Sequence, residues 1–186
     1  MKQEKVILGI DPGTNVMGYG VIKTLGKKVK ILHLDVKHFS KLKDHHTKLK
    51  HLFETTLKLV EEYLPDELAV EAPFYGKNVQ SMLKLGRAQG VIMAAAMYRD
   101  IPVTEYSPRK IKQSITGSGA ASKEQVATMM EKAFNQRLTT QFLDATDGLA
   151  VALCHHYQAG NPVSSQSAKN WEEYLKKNPG RISGKK

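Results

Sequence analysis

The first forty residues alternate between short apolar runs and polar or glycine-rich breaks. The run KVILGI is rich in β-branched residues, PGTN breaks it, and extended sequence resumes at GYGVIKT, so the pattern predicts a two-stranded hairpin. In KVKILHLDVKHF polar and apolar residues alternate, which is typical of a third strand with one exposed face. The chain is therefore expected to open with three antiparallel strands.

Beyond residue 40 the apolar spacing changes to that of helices, interrupted by two short strands. The strands are predicted at ELAVEAP and IPVTEYSP. Pro65 is expected to end the first helix and Ser122 to cap a later one. The predicted helical segments are residues 41–65, 76–100, 109–116, 123–134 and 141–158. Three strands followed by alternating helices and strands predict an α/β fold with a mixed sheet and helices on its faces.

The C-terminal segment differs in composition from the rest of the chain. After AGNPVSSQS the sequence is polar and basic through KKNPGRISGKK. Residues 161–186 are therefore expected to form a flexible basic tail on one domain of residues 1–160. The second long helix carries small residues, among them Gly86, Gly90 and Ala94, which permit close helix approach in the core or across a subunit interface.

The excess of basic residues indicates what kind of partner the protein binds. The chain has 28 Lys and Arg against 18 Asp and Glu, a formal charge of +10, which favours nucleic acid as a partner, with an anionic membrane surface as the alternative. The single cysteine, Cys154, lies in an apolar run and is expected to be a buried filler in a reducing cytosol. No apolar run approaches the ~20 residues of a membrane span, and the N-terminus does not resemble a signal peptide, so a soluble cytoplasmic protein is expected.

Four carboxylates stand where an α/β sheet presents its ligands. Asp11 and Glu71 each end a predicted strand, while Asp144 and Asp147 are three residues apart on the last helix and so share a face. Carboxylates that meet in space raise one another's pKa unless a cation neutralises them. Oxygen ligands without a His or Cys partner select Mg²⁺ or Mn²⁺, and Mg²⁺ also takes water and phosphate oxygens.

Each of these acids also has a structural explanation when it is taken alone. Asp11 in DPG suits a turn, and Glu71 suits an exposed strand end. Asp144 or Asp147 would equally satisfy the N-terminus of a helix. The histidines show no metal-ligand spacing and are expected at the surface: His45, His46, His51, His155 and His156.

Candidate contacts to nucleic acid flank the acids. Residues 13–15, GTN, offer backbone N–H groups and a hydroxyl beside Asp11. Lys112 and Lys123 lie on either side of the glycine loop GSGAAS, where they face phosphates or, alternatively, only solvent. Phe74 and Tyr75 follow Glu71 and are placed to stack on unpaired bases, unless Phe74 packs beneath its own loop.

Four segments of the sequence resemble the signature blocks of the RuvC family, the bacterial Holliday junction resolvases. They are ILGIDPGTNVMGYGVI, AVEAPFYGKNVQSMLKLGRAQGVI, YSPRKIKQSITGSGAASKEQV and DATDGLAVALCH, in the family's order and spacing across residues 6–157. The resemblance implies an RNase H-like fold with a mixed five-stranded sheet. It also implies a homodimer that resolves four-way DNA junctions by paired nicks in recombination and repair, with a branch-migration helicase of the RuvA and RuvB type as partner.

The resemblance also assigns roles to individual residues. Asp11, Glu71, Asp144 and Asp147 match the four catalytic, metal-binding carboxylates, which implies two Mg²⁺ ions per site, with Mn²⁺ as a substitute, and 5′-phosphate and 3′-hydroxyl products. Phe74 matches the aromatic that inserts at the junction core, and Lys112 and Lys123 match basic residues near the scissile strand. Tyr75 and Lys77 share the loop of Phe74 and are expected to contact DNA with it.

Two positions depart from the family pattern, and one helix matches a known interface. Ala72 stands where members often carry Gln. Gly148 stands where Ala is common and costs about 1 kcal/mol of helix propensity. The helix from about Asn78 to Tyr98 matches the one at the dimer interface of the family.

Three other functions compete with junction resolution. A kinase or ATPase of the actin-like fold also opens with Asp-x-Gly-Thr on a hairpin, but its second phosphate-binding hairpin and its adenosine motif are not seen in this sequence. A non-catalytic junction-binding protein would be marked by the loss of one of the four acids, and all four are present. A related nuclease that acts on RNA is disfavoured by the aromatic residue after Glu71 and by the GSGAASK loop.

Overall fold

The computed structural model of the chain describes residues 4–73, 78–138 and 143–159. Its strands are β1 Glu4–Asp11, β2 Val16–Leu25, β3 Lys28–His38, β4 Glu67–Glu71 and β5 Val103–Tyr106. Its helices are α1 His45–Tyr63, α2 Val79–Met97, α3 Pro108–Thr116, α4 Lys123–Phe134 and α5 Leu143–Ala159. Every predicted strand and helix is present, while the predicted tail of residues 161–186 lies outside the described residues.

The strands form one mixed sheet in the order β3-β2-β1-β4-β5. The β1–β2 and β2–β3 pairs are antiparallel, whereas β4 runs parallel to both β1 and β5. The predicted mixed five-stranded sheet is thereby confirmed. Because β1 and β4 are parallel neighbours, with Ile10 opposite Val70, the acids that end them emerge at the same edge of the sheet.

Alternate residues of the central strands face two different hydrophobic cores. Leu8 and Ile10 of β1 belong to the core that α1 and α2 cover, whereas Ile7 packs with Leu149 of α5 on the opposite face. Helices α3 and α4 extend this second face through a further cluster with α5. Cys154 is fully buried there, which confirms its predicted place as a small core residue.

Side-chain caps set where the helices begin. Asp44 accepts a hydrogen bond from the Thr47 backbone N–H at 2.7 Å, so α1 starts at His45 and not at residue 41 as predicted. Ser122 caps α4 as predicted, in a capping box that it completes with Gln125. The cap fixes the direction in which α4 leaves the glycine loop.

Close packing between α5 and the β1–β2 hairpin requires glycine. A Cβ atom added at Gly148 would lie 2.4 Å from Tyr19 Cα, and one added at Gly18 would lie 1.8 Å from the backbone oxygen of Asp144. Both separations are far shorter than the contacts that nonbonded atoms make. Gly148, which helix propensity alone marks as a weakness, is therefore a requirement of this contact.

Substituting Gly148 with alanine tests this packing against helix propensity. The methyl group would force the backbones of α5 and β2 apart, so we expect a loss of about 1–3 kcal/mol in the free energy of unfolding. Propensity alone predicts the opposite, a gain of about 1 kcal/mol. Thermal unfolding followed by circular dichroism separates the two, and a melting temperature equal to or above that of the wild type would contradict the packing account.

The surface prediction is wrong for His155. Its side chain is only 8% exposed, with Nε2 2.7 Å from Glu67 Oε2 and Nδ1 2.9 Å from the Tyr106 hydroxyl. Lys5 pairs with the other oxygen of Glu67. His155 is buried because these partners satisfy both of its ring nitrogens. Of the other histidines, His46 and His51 are exposed, and His45 and His156 are partly buried.

Candidate active site

A cleft of about 430 Å³ opens at the sheet edge where β1 and β4 end. Asp11 and Glu71 line it from the sheet, and Asp147 lines it from α5. Lys112 of α3 and Lys123 of α4 add two positive charges to the lining. The apolar part of the lining includes Pro108, Ile111, Val126 and Met130. The fold thus gathers, in one cleft, five residues that lie far apart in the sequence.

The backbone holds the two strand-end acids in place. After Asp11 the chain turns back tightly, and Gly13 is required because an added Cβ atom would lie 1.8 Å from the Val16 carbonyl oxygen. After Glu71 the Ala72 N–H donates to the Tyr106 carbonyl at 2.8 Å, so pairing between β4 and β5 continues past the acid. Both carboxylates therefore extend from segments of main chain that have little conformational freedom.

Burial and mutual repulsion raise the pKa of both strand-end carboxyls. Burial, followed by the charge of Asp147, raises the pKa of Asp11 to about 7. Burial, followed by the charges of Asp11 and Asp147, raises the pKa of Glu71 to about 8. Lys123 acts in the opposite direction on both acids. The pair therefore retains protons near neutral pH unless a further cation neutralises it.

The two acids of α5 differ in their position. Asp147 lines the cleft and accepts a hydrogen bond from Lys123 Nζ at 3.2 Å, which raises the pKa of the lysine. Asp144 is exposed in the first turn of the helix and does not line the cleft, although its charge contributes to the raised pKa of Asp11. The structure thus places three of the four predicted acids in the cleft and the fourth beside it.

The sequence that carries these residues matches a family of known proteins over most of its length. The family model described as Crossover junction endodeoxyribonuclease RuvC matches residues 7–155. The chain belongs to the RuvC family. The RuvC protein of Christiangramia forsetii is 54% identical over 98% of this chain and 95% of its own length, and that of Bacteroides fragilis is 54% identical over 97% of both.

A solved RuvC structure supports the same assignment. "T. thermophilus RuvC in complex with Holliday junction substrate" aligns with a TM-score of 0.78 at 30% identity, covering 84% of this chain and 95% of the other. The RNase H-like fold implied by the sequence is therefore confirmed. As a member of the RuvC family the chain is an endodeoxyribonuclease.

RuvC membership also implies dependence on a divalent metal, and the cleft fits such an ion. Its donors are carboxylate oxygens, and Asp11 and Glu71, which are buried and repel each other, ionise more readily when a cation is bound beside them. Among the described residues, no three His, Cys, Asp or Glu side chains form a ready-made ligand cluster. A hard cation that completes its shell with water and substrate phosphate suits this donor set.

Gln89 is a site residue that the sequence analysis missed. It lies on α2, is 6% exposed, and donates from Nε2 to Glu105 Oε2 at 2.7 Å and to the Glu71 carbonyl at 3.4 Å. An amide from α2 thus reaches the backbone of Glu71, next to Ala72. The one feature of the sequence that could have indicated a role for Gln89 is its position as a lone Gln among the small and apolar residues of RAQGVIMAAA.

The remaining expectations concern residues and partners outside this cleft. Phe74, Tyr75 and Lys77, predicted to contact DNA, lie outside the described residues. In the part of the chain that the structure describes, no helix combines the length and apolar character needed to cross a membrane.

Proposed function

We propose that this chain resolves four-way DNA junctions by paired, symmetric phosphodiester hydrolysis, in recombination and repair in the bacterial cytoplasm. One observation carries the proposal: Asp11, Glu71 and Asp147 converge with Lys112 and Lys123 in a single cleft. The likeness to a RuvC protein solved with a Holliday junction supports the choice of substrate. The products are 5′-phosphate and 3′-hydroxyl ends, which a ligase can seal.

The residues of the cleft have different roles in the proposed hydrolysis. Asp11 and Glu71, once they lose the protons that burial and repulsion hold on them, would hold two Mg²⁺ ions, or Mn²⁺ in their place, together with Asp147 and Asp144. The ions would supply the charge that activates the attacking water and stabilises the leaving 3′ oxygen. Lys112 and Lys123 orient the scissile phosphate, and Gln89 keeps the backbone of Glu71 in position.

Symmetric cutting also calls for two identical sites, which a two-fold homodimer supplies. Helix α2 has a suitable face, because Val79, Leu83 and Met97 are 61%, 51% and 55% exposed despite being apolar. Gly90 and Ala94 lie between them on the exposed side. Small residues flanked by exposed apolar ones permit a second α2 helix to approach closely.

Introducing a charge on this face is expected to separate the subunits. Leu83→Glu would bury a carboxylate between the helices, so sedimentation velocity should show a monomer where the wild type is a dimer. Leu32→Glu is the matched control, because Leu32 is 40% exposed on the edge strand β3. An unchanged dimer in the Leu83 variant, or equal dissociation in both variants, would contradict the assignment of α2.

Two further parts of the proposal concern the junction and its processing. Phe74 inserts at the junction core, and Tyr75 and Lys77 contact DNA beside it. A branch-migration helicase of the RuvA and RuvB type delivers the junction to the dimer. Support comes from the match to the RuvC family and from the place of Phe74 in the chain, three residues after Glu71.

Cleavage of a labelled four-way junction beside a linear duplex tests the proposed function. We expect symmetric nicks that ligase reseals, in the junction only and with Mg²⁺ but not Ca²⁺. Tight binding of the junction without cutting in either Mg²⁺ or Mn²⁺ would overturn the catalytic proposal and leave a structure-specific binding protein.

A further inference from the structure

A second cleft lies next to the carboxylate site and takes no part in the chemistry proposed above. It has a volume of about 400 Å³ and is formed by the turn after β1 and the N-terminal parts of α1 and α2. Lys43, Lys48 and Lys84 line it, and no acidic residue is among its described lining residues. We call it the basic cleft.

The lysines of the basic cleft carry charge that no neighbouring acid neutralises. Lys48 Nζ donates to Asn15 Oδ1 at 2.6 Å, so its ammonium group is fixed on the turn that follows Asp11. Asp44 precedes α1, but its carboxylate accepts hydrogen bonds from the backbone N–H and the hydroxyl of Thr47 at 2.7 and 2.9 Å. Within the described parts of the chain, no carboxylate forms an ion pair with any of the three lysines.

His45 lies among the cations that surround the basic cleft. Burial, followed by the charges of Arg87, His46 and Lys84, lowers the pKa of its ring. Its Nε2 is the one buried side-chain nitrogen or oxygen without a hydrogen-bond partner in the described part of the chain. Arg87 thus adds a fourth cation to the same region, and a bound anion would relieve the repulsion among them.

A small hollow of about 110 Å³, which we call the groove, shares lining residues with both the basic cleft and the carboxylate site. Asp11 and Glu71 line both the carboxylate site and the groove, and Leu85 lines both the groove and the basic cleft. The chain from Asp11 to Asn15 spans at most about 14 Å. Measured along the axis of B-form DNA, that distance is the rise of about four nucleotides of one strand, at roughly 3.4 Å each, so four nucleotides is an upper limit.

We infer that the basic cleft binds backbone phosphates of the DNA strand that continues from the cut, within about four nucleotides of the scissile phosphate. The choice of DNA as ligand rests on the proposed function. Ammonium groups, together with the hydroxyls of Thr14 and Ser81, suit phosphate oxygens and carry no base readout. No Phe, Tyr or Trp occurs among the described lining residues, and His45 is the one aromatic ring among them, so contacts to phosphate outnumber any contact to a base.

A double substitution tests the inference through the salt dependence of binding. Lys48→Gln with Lys84→Gln removes two charges from the basic cleft, whereas Lys27→Gln with Lys28→Gln removes two exposed charges at the β2–β3 turn, at the opposite end of the sheet. Affinity for the four-way junction and for linear duplex is measured without divalent cations over a range of salt concentrations. We expect the slope of log K against log salt to become shallower by about 2 in the cleft variant and to stay unchanged in the control.

Phosphate ethylation interference locates the contacts along the strand. The wild type and the control should show interference at phosphates within about four nucleotides of the cut. The cleft variant should lose it there but keep it at the scissile phosphate, which Lys112 and Lys123 contact. Circular dichroism confirms that both variants are folded. A cleft variant with the wild-type slope and interference pattern, or an equal loss of slope in both variants, would overturn the inference.

The binding measurements also separate this inference from the proposed function. Wild-type protein that binds DNA but does not cut it would refute junction resolution, yet the slopes on duplex DNA would still decide whether the basic cleft holds phosphates. Conversely, normal cutting with no change of slope in the cleft variant would refute the phosphate site alone.

Discussion

Replacement of Asp11 by Asn is expected to lower the single-turnover rate of junction cleavage by about 10³-fold or more. The amide cannot supply the charge that a divalent cation needs, and such cations contribute several kcal/mol to phosphoryl-transfer transition states. Each 1.36 kcal/mol corresponds to a factor of about ten in rate. The rate is measured with labelled junction and excess protein in Mg²⁺, and junction binding is measured in Ca²⁺ so that loss of binding is distinguished from loss of chemistry.

Glu4 offers a matched control for this experiment. It begins the same strand that Asp11 ends, is exposed, and pairs only with Lys23 among the described residues. Glu4→Gln should therefore cleave within about twofold of the wild-type rate, since surface ion pairs contribute little. An Asp11→Asn protein that retains a tenth of the wild-type rate would show that Asp11 is not a metal ligand of the reaction.

The metal-free protein is expected to lose stability as the pH rises from about 4 to about 8. In the folded state the pKa of Asp11 is about 7 and that of Glu71 about 8, both above the values of 3.8 and 4.5 that apply when the chain is unfolded. The folded state therefore binds more protons than the unfolded state throughout this window. Stability that is fully present below the unfolded pKa values is lost as the pH passes the folded ones.

The size of this effect makes it accessible to thermal unfolding. Each kcal/mol of lost stability corresponds to roughly 2–4 °C in melting temperature for a chain of this size. Mg²⁺ added at pH 8 should restore about 2.7 kcal/mol at one hundred times its dissociation constant. Asp44 and Glu67 have lowered pKa values, so their contributions change at lower pH than this window. The lowered pKa values of His45 and His156 act within the window and in the opposite direction, because they add stability as the pH rises.

A variant with both acids neutralised is the control for the pH effect. Asp11→Asn with Glu71→Gln removes the two titrating groups, so its melting temperature should vary much less between pH 5 and pH 8 and should not respond to Mg²⁺. A wild-type melting temperature that changes with pH in the same way as that of this variant would mean that the two carboxyls are not held together as the structure shows.

The strands that carry Asp11 and Glu71 could be predicted from the sequence, because the end of a strand is a local feature of the sequence. Asp11 and Glu71 follow apolar runs directly, and parallel pairing of β1 with β4 was enough to bring them together. The spacing of Asp144 and Asp147 placed both on one side of a helix. It could not show which of them enters the cleft, because that depends on how α5 is rotated against the sheet.

Other features depended on contacts between distant segments and left no local pattern. Helix propensity marked Gly148 as unfavourable, whereas the nearby backbone of Tyr19 makes a side chain there impossible without a shift. His155 lay in a polar-looking pair at the end of a helix, and its partner Glu67 is 88 residues away in the sequence. Gln89 could be recognised only when the backbone of Glu71 was found beside it.

The glycine contact between α5 and the hairpin has a consequence for anyone who would transplant this site into another scaffold. Main-chain atoms at Gly18 and Gly148 set the distance between a strand-borne and a helix-borne carboxylate. Grafting the acids alone onto an ordinary helix and sheet, which are held apart by side chains, would leave Asp11 and Asp147 too far apart to share a ligand. A design would therefore need to reproduce the glycine contact between helix and strand before the acidic residues are added.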